Sequence, residues 1–392
     1  MKTWQTKKLR EICVVVGGGT PKTGIKKYWD GGLFWITPKD LGKLKNFEIS
    51  ATERKISKEG LKNSSAKLLP TGSVILSSRA PIGYVAINNL EIATNQGCRS
   101  FVCNKEIYNK YLYFFFVSNT EYLNSLGGGT TFKEVSGSKL KEIEVPLPSI
   151  SEQHRIVKIL DEVFEGVAKA KENAEKNLQN TKDLFESYLQ GIFAKPGEGW
   201  TEKQVDEICN VEYGYTEKAK SRGDYRFVRI TDTDKNGLLM STGKMYVDSF
   251  FDAEKYLLEE GDLLMARTGA SAGNVLLFEG DEKAVFASYL IRLKFKKEVL
   301  SKLYWYFSKS PLYWNQVRQL SAGSAQPQFN GGALKQIVLV FPESLSEQKT
   351  IVAKLDKLSA ETKKLEGIYE KKLADLEELK KSVLKKAFAG EL

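Results

Sequence analysis

The sequence predicts an α+β chain that is one unit written twice: two similar globular domains with curved β-sheets, joined by two long antiparallel α-helices under a pseudo-two-fold internal repeat. Three observations predict it. Trp4 to Glu11-Ile12-Cys13 returns as Trp200 to Glu207-Ile208-Cys209 at an offset of 196, and Ser149-Ile150-Ser151-Glu152-Gln153 returns as Ser344-Leu345-Ser346-Glu347-Gln348 at an offset of 195. Each of the later matches opens a long apolar periodicity of helical type. Each globular stretch mixes short β-branched and aromatic runs with turn residues.

The helical segments come first because they are best marked. Pro148 and Pro342 precede them, and Ser149-x-x-Glu152 and Ser344-x-x-Glu347 have the pattern of a capping box, in which the serine oxygen takes an orphan backbone N–H. The match then runs on without a gap, Ile156-Val157 with Ile351-Val352 and Phe193-Ala194 with Phe388-Ala389. A heptad-like seam follows. In the first copy it is Ile156, Leu160, Val163, Val167, Ala170, Ala174, Leu178, Leu184 and Tyr188; in the second, Ile351, Leu355, Leu358, Leu365, Tyr369, Leu373, Leu376, Leu379 and Val383. A helix of about 42 residues is ~63 Å long, more than one globular domain can use. Two such rods pairing antiparallel bury their seams, set Ala170 and Ala174 against Leu365 and Tyr369, and hold the globular domains at opposite ends. Pro196, in Lys195-Pro196-Gly197-Glu198-Gly199, stops the first rod. The expected boundaries are 1–148 for the first globular domain, 149–195 for the first rod, 196–342 for the second domain (with a linker at 195–199) and 343–392 for the second rod.

Within the globular parts, Val74-Ile75-Leu76, Tyr84-Val85-Ala86-Ile87, Leu263-Leu264-Met265 and Asn274-Val275-Leu276-Leu277-Phe278 read as strands, and 107–124 and 298–318 as aromatic-rich helices. No apolar run reaches the roughly 18 residues that span a bilayer, and Met1-Lys2-Thr3-Trp4-Gln5 has no apolar signal core, so a cytoplasmic, membrane-free protein is expected.

Charge and motifs narrow the function. The net charge is +10. Residues 1–148 hold the whole excess, with 22 basic against 12 acidic side chains, whereas 199–342 balance at 19 against 18 and both rods are nearly neutral. Such a distribution suits a polyanionic partner for the globular parts and protein partners for the rods. The second domain must use a local patch, for which Lys218, Lys220, Arg222, Arg226 and Arg229 are candidates. Gly17-Gly18-Gly19-Thr20-Pro21-Lys22-Thr23-Gly24 is not a nucleotide loop, because Ile25 stands where Lys-Ser/Thr would be needed. Cys13, Cys98, Cys103 and Cys209 form no close pair in sequence and His154 is the sole imidazole, so no zinc site and no Ser/His/Asp arrangement is expected. Methyltransferase, helicase and nuclease signatures are missing, which favours a reader over a catalyst.

At this point the residues resemble a known family. The opening Trp-x-x-x-x-Leu/Val-x-Glu-Ile-Cys, the Gly19-Thr20-Pro21 turn, Tyr28-Trp29-Asp30-Gly31-Gly32 and Trp35-Ile36-Thr37 are similar to the start of target recognition domains in type I restriction-modification specificity subunits. Gly72 to Arg79 with Pro81-Ile82-Gly83, and Gly261-Asp262-Leu263-Leu264-Met265-Ala266-Arg267, look like the family's strand-loop; Asn95-Gln96-Gly97-Cys98 fits as well. So do Pro146-Leu147-Pro148 and Phe341-Pro342 at the entries to the rods. The resemblance implies two target recognition domains, each reading one half of a bipartite double-stranded DNA target. It implies two methyltransferase subunits docked on the rods and a restriction motor-nuclease subunit. It implies no cofactor in this chain, with S-adenosylmethionine, ATP and Mg²⁺ on the partners. Alternatives are the specificity subunit of a related restriction system and a coiled-coil adaptor that binds proteins.

Base readout needs long polar side chains on loops, since phosphate contacts only position the protein. The candidates are Thr20, Lys22, Arg79, Asn95, Gln96, Arg99 and Lys133 in the first domain. In the second they are Lys218, Arg222, Arg229, Arg267, Thr268, Ser271, Ser288, Tyr289, Arg292, Gln326 and Gln328.

Overall fold

The computed structural model describes residues 4–128, 133–234, 236–280, 282–321 and 329–392. The chain divides into two compact units: Met1–Ala174 with Lys372–Leu392, and Glu175–Lys371. These units cut across the expected domain boundaries. Each rod starts in one unit and finishes in the other, because each globular core recruits the beginning of one rod and the end of the other.

In the first unit, Gln5–Lys8 pairs antiparallel with Glu144–Leu147, the strand that leads into the first rod. A five-stranded sheet runs in the order Cys13–Gly17, Cys98–Cys103, Val74–Ser77, Val85–Asn88, Glu48–Ile49. A four-stranded sheet has Trp29–Ile36 at its centre, parallel to Ile92–Thr94. Val74–Ser77 is buried at every residue, which explains its unbroken apolar run: Val74 and Leu76 feed the core under the rods, while Ile75 feeds a second core with Ile36, Leu41 and Ile49.

The second unit repeats this wiring. Trp200–Gln204 pairs with Val338–Pro342, and a sheet runs Cys209–Tyr213, Leu290–Phe295, Leu263–Ala266, Val275–Leu277. Tyr225–Val228 lies parallel to Ala284–Phe286, as Trp29–Ile36 does to Ile92–Thr94. Leu263 and Met265 face one core, Leu264 and Ala266 the other. The matching pairings make the duplication structural as well as textual.

The rods are helices Ile150–Ala194 and Leu345–Ala389. The serine caps form, Ser149 Oγ accepting from Glu152 N and Ser344 Oγ from Glu347 N, each at 3.4 Å. The two glutamates are also engaged elsewhere: Glu152 with Arg155 at 2.7 Å, and Glu347 with the Trp200 indole at 3.0 Å. A stronger anchor sits one residue on. Gln153 Oε1 accepts from Tyr108 N (2.8 Å), and its Nε2 donates to the carbonyls of Glu106 (2.9 Å) and Pro148 (3.0 Å). Gln348 does the same with Leu300 N (2.9 Å), Glu298 O (2.8 Å) and Pro342 O (2.9 Å). Both glutamines are fully buried, so every bond counts.

Within each unit the rods run antiparallel. In the first, Arg155 Nη2 reaches the Leu392 carbonyl (2.7 Å), Lys380 lies over Phe164, and Lys171 pairs with Glu377 (2.9 Å). Ile156, Leu160, Leu384 and Ala387 share its core. In the second, Leu189, Phe193 and Leu355 share the core, and the Tyr306 hydroxyl donates to Asp356 (2.6 Å).

Two expectations need correction. The apolar seam of the first rod slips after Leu178: Thr181, Phe185, Leu189 and Phe193 turn inward, whereas Leu184 and Tyr188 are 55% and 39% exposed; in the second rod Leu365 and Leu379, also expected on the seam, are exposed. A threonine on the buried stripe hid the true phase. Its hydroxyl is satisfied by the Asn177 carbonyl at 2.8 Å. Each aromatic helix is also two helices. Asn109–Ser118 gives way to Thr120–Leu126 at Asn119, and Ser301–Phe307 to Pro311–Leu320, where Ser310 caps the new start and Pro311 fills its first turn. Among the cysteines, Cys13, Cys98 and Cys209 are buried thiols, and Cys13 faces Cys103 across the strand pair at 3.9 Å.

Candidate nucleic-acid interface

In the first unit, strand Val74–Ser77 runs out into Ser78-Arg79, and strand Ile92–Thr94 into the turn Asn95–Gly97 that starts Cys98–Cys103. The glycine-rich segment crosses this turn. Gly19 N donates to Thr94 O (2.8 Å), and a Cβ on Gly18 would lie 2.1 Å from Asn95 O, so only glycine permits the approach. That crossing brings Thr20 to Asn95. Asn95 Nδ2 donates to Thr20 Oγ1 (2.8 Å) and Gln96 Oε1 (3.0 Å), its Oδ1 accepts from Gly97 N (2.7 Å), and the Thr20 hydroxyl donates to Gln96. Arg99 Nη1 donates to the carbonyls of Gln96 (2.9 Å) and Cys98 (3.0 Å), and its Nη2 to Glu134 (3.3 Å). Arg79 Nε donates to the other Glu134 oxygen at 2.8 Å.

Thr20, Arg79, Asn95, Gln96 and Arg99 therefore form one hydrogen-bonded network closed by Glu134. Two guanidinium groups share one carboxylate, leaving a net positive charge at the surface. Lys133 adjoins it through its carbonyl, which accepts from Ala80 N (3.0 Å), and its side chain is exposed. Lys22 is exposed and stands apart; its carbonyl accepts from the Trp29 indole at 3.3 Å. Glu134 carries no signal of its own in the sequence. It arrives because bridges from residue 134 to Arg79 and Gly128 pull this loop to the strand end.

In the second unit the equivalent strand, Leu263–Ala266, runs out into Arg267-Thr268, beside the turn that ends in Ser288-Tyr289. Arg267 N donates to Tyr289 O (3.1 Å) and Arg267 O accepts from Phe329 N (3.0 Å). The Arg267 guanidinium lies 5.5 Å from the Tyr213 ring centre and 5.7 Å from that of Tyr289. Ser288 N donates to Tyr215 O (2.9 Å), and Ser271, in the half-buried turn after Thr268, accepts at its carbonyl from Asn274 N (2.9 Å). Arg267, Thr268, Ser288 and Tyr289 are thus brought together. Tyr213 was missed; its sole signal was its place opposite Gly17 in the repeat.

Lys218 and Arg222 are exposed, and Arg229 is held by Asp232 (2.7 Å) and the Gly243 carbonyl (3.3 Å). Gln326 and Gln328 lie outside the described residues. Arg292 and Arg226 are corrections: each is 5% exposed. Arg292 donates to Glu212 (2.8 Å), Leu257 O (2.5 Å) and Lys255 O (2.9 Å) and lies 3.5 Å from Asp262. Burial pushes the Asp262 carboxyl up, against the opposing pull of a backbone N–H and of Arg292. Arg226 is taken up by Glu282 (2.7 Å) and the Met240 carbonyl (2.6 Å). Both arginines sit within unbroken runs of buried strand residues, 226–228 and 290–293, where the alternation that would mark a solvent face is missing. Such acceptors offset the cost of taking a guanidinium charge out of water.

The fold and these strand-end clusters define a class: a duplicated reader, polar and basic at matching loop ends, mounted on two helical rods. The family model for the type I restriction modification DNA specificity domain matches residues 1–178 and again 197–374. The chain belongs to that family, and its role is sequence-specific DNA recognition in a type I restriction-modification system. It is 36% identical over 294 residues to the MjaIX specificity subunit of Methanocaldococcus jannaschii, an alignment spanning 69% of this chain and 67% of that one. With the EcoKI specificity subunit of Escherichia coli it shares 23% identity over 379 residues, 89% and 81% of the two chains. Among solved structures, a chain from a type I R-M system superposes with a TM-score of 0.81 at 19% identity, covering 100% of this chain and 99% of that one. The HsdS subunit of Thermoanaerobacter tengcongensis gives 0.63 at 19% identity, covering 100% and 98%. No helix among the described residues is long and apolar enough to cross a membrane.

Proposed function

We propose that each unit reads one half of a bipartite double-stranded DNA target through its strand-end cluster, and that the two rods set the length of the unread gap. The observation that carries this is that the segment leaving the same strand holds an arginine in both copies, one position later in the first, beside hydrogen-bonding or aromatic neighbours: Arg79 with Glu134, and Arg267 with Tyr213 and Tyr289. Groove edges are read by such side chains. Lys22, Lys133, Lys218 and Arg222, all exposed, supply phosphate contacts that position the duplex.

The chain performs no catalysis. Its rods seat two methyltransferase subunits, which bring S-adenosylmethionine, and a restriction motor-nuclease subunit, which brings ATP and Mg²⁺, joins them in the cytoplasm. Exposed Leu184, Tyr188, Ile368 and Leu379 on the rods support docking of protein partners there. The test is a DNA shift assay with cognate methyltransferase subunits, together with modified-base sequencing of DNA methylated by the complex. A two-part motif with an unread gap is expected. A continuous motif, or none, would sink the reading.

A further inference from the structure

We infer that Arg267, clasped between Tyr213 and Tyr289, is the group with which the second unit reads a guanine. The inference rests on the DNA-reading role proposed above and names the base class one position takes. The buried arginines of this unit, Arg226 and Arg292, both have carboxylate partners. Arg267 has no ion pair among the described residues, and its Nε is buried without a hydrogen-bond partner. What holds it instead is two tyrosine rings, 46% and 56% exposed, and a backbone tied on both sides. Tyr213 is itself pinned, its hydroxyl accepting from Gly331 N at 3.0 Å. A guanidinium oriented by aromatic faces keeps its donors open, and its planar fork matches the N7 and O6 acceptors of guanine in the major groove.

The internal repeat supplies an independent observation. Strand register equates Tyr213 with Gly17, since Ile291 and Arg99 are their respective partners. The bonds Arg267 N to Tyr289 O and Phe329 N to Arg267 O match Ser78 N to Gly97 O (2.8 Å) and Val135 N to Ser78 O (2.8 Å). All three members of the Tyr-Arg-Tyr group thus stand where the first unit has Gly17, Ser78 and Gly97. In the first unit the vacated space holds Arg99, whose Nη1 is 3.9 Å from where a Gly17 Cβ would be and whose Nε is 3.4 Å from a Gly137 Cβ. A Cβ on Gly331, the counterpart of Gly137, would meet the Tyr213 hydroxyl at 2.8 Å. The backbone is shared while the reading chemistry is exchanged, as two half-sites of different sequence require.

The test uses the chain assembled with its cognate methyltransferase. Modified-base sequencing is done with wild type, Arg267→Gln, Tyr289→Ala and Tyr289→Phe, and binding is measured on targets carrying 7-deazaguanine, which lacks the N7 acceptor, at one guanine at a time. Arg267→Gln should relax one G·C position in one half-site only, leave the other half-site and the gap unchanged, and weaken binding about 5- to 150-fold. Wild type should be sensitive to 7-deazaguanine at that position and Arg267→Gln insensitive. Tyr289→Ala should relax the same position and Tyr289→Phe restore it, which a merely structural role would not do. An unchanged motif overturns the inference. So does uniform weakening on all sequences with a salt slope lower by about one, the mark of a phosphate contact. If wild type yields no two-part motif, the underlying reading falls with it.

Discussion

Glu134 is a single carboxylate holding two arginines, and its removal tests whether the network restrains or creates DNA affinity. Glu134→Gln keeps the shape and frees one positive charge. It should raise affinity for unrelated DNA, steepen the salt dependence by about one ion and narrow the gap between target and non-target binding, all read by fluorescence anisotropy across a salt series. Lys309 makes a different prediction. Its ammonium lies 3.4 Å from the Trp305 ring centre and donates to the Asn236 carbonyl. Burial, reinforced by Lys363, lowers its pKa to about 7. Between that value and its usual 10.5, the unfolded chain binds a proton that the folded one does not. This residue's contribution to stability should therefore rise as pH climbs from 7 towards 10, and be lost as pH falls back. Denaturant titrations of wild type and Lys309→Met across that range should show the difference.

Among the elements, the rods were legible in outline and misread in detail. Caps, prolines and periodicity set their ends to within three residues, 149–195 and 343–392 against the observed Ile150–Ala194 and Leu345–Ala389. Apolar identity alone, however, put Leu184 and Tyr188 on the seam in place of Thr181 and Phe185. Leu189→Ala should destabilise the protein by about 2–5 kcal/mol, whereas Leu184→Gln should change stability by less than about 0.5 kcal/mol. Chemical denaturation of the two variants separates the phases, and equal costs would restore the original seam. The glutamine clamps were visible only as part of the repeated Ser-Glu-Gln signature. Gln153→Ala and Gln348→Ala each strand a buried amide N–H and two carbonyls. Each should cost at least 1–3 kcal/mol in denaturation experiments, roughly the penalty for one buried group left unsatisfied.

For the molecule as a whole, continuity of the rods between the two units yields the remaining prediction. Four residues added to one rod lengthen it by one turn, ~6 Å. The unread gap should grow by a base pair or two with both half-sites intact; altered half-sites at an unchanged gap would refute the ruler. Duplication, the approximate limits of the rods and the family were readable from the linear order of residues, because they rest on local signals repeated twice. Caps, prolines and periodicity act over a few positions, and two copies reveal what one would hide. Folding alone decided which polar residues became surface and which became scaffold. Arg267 and Arg292 look alike in a string, but one ends a strand between two rings and the other lies mid-strand among carboxylates. Glu134 and Tyr213 joined the clusters only through contacts tens of residues away, since burial and partner choice depend on neighbours that the chain assembles in space.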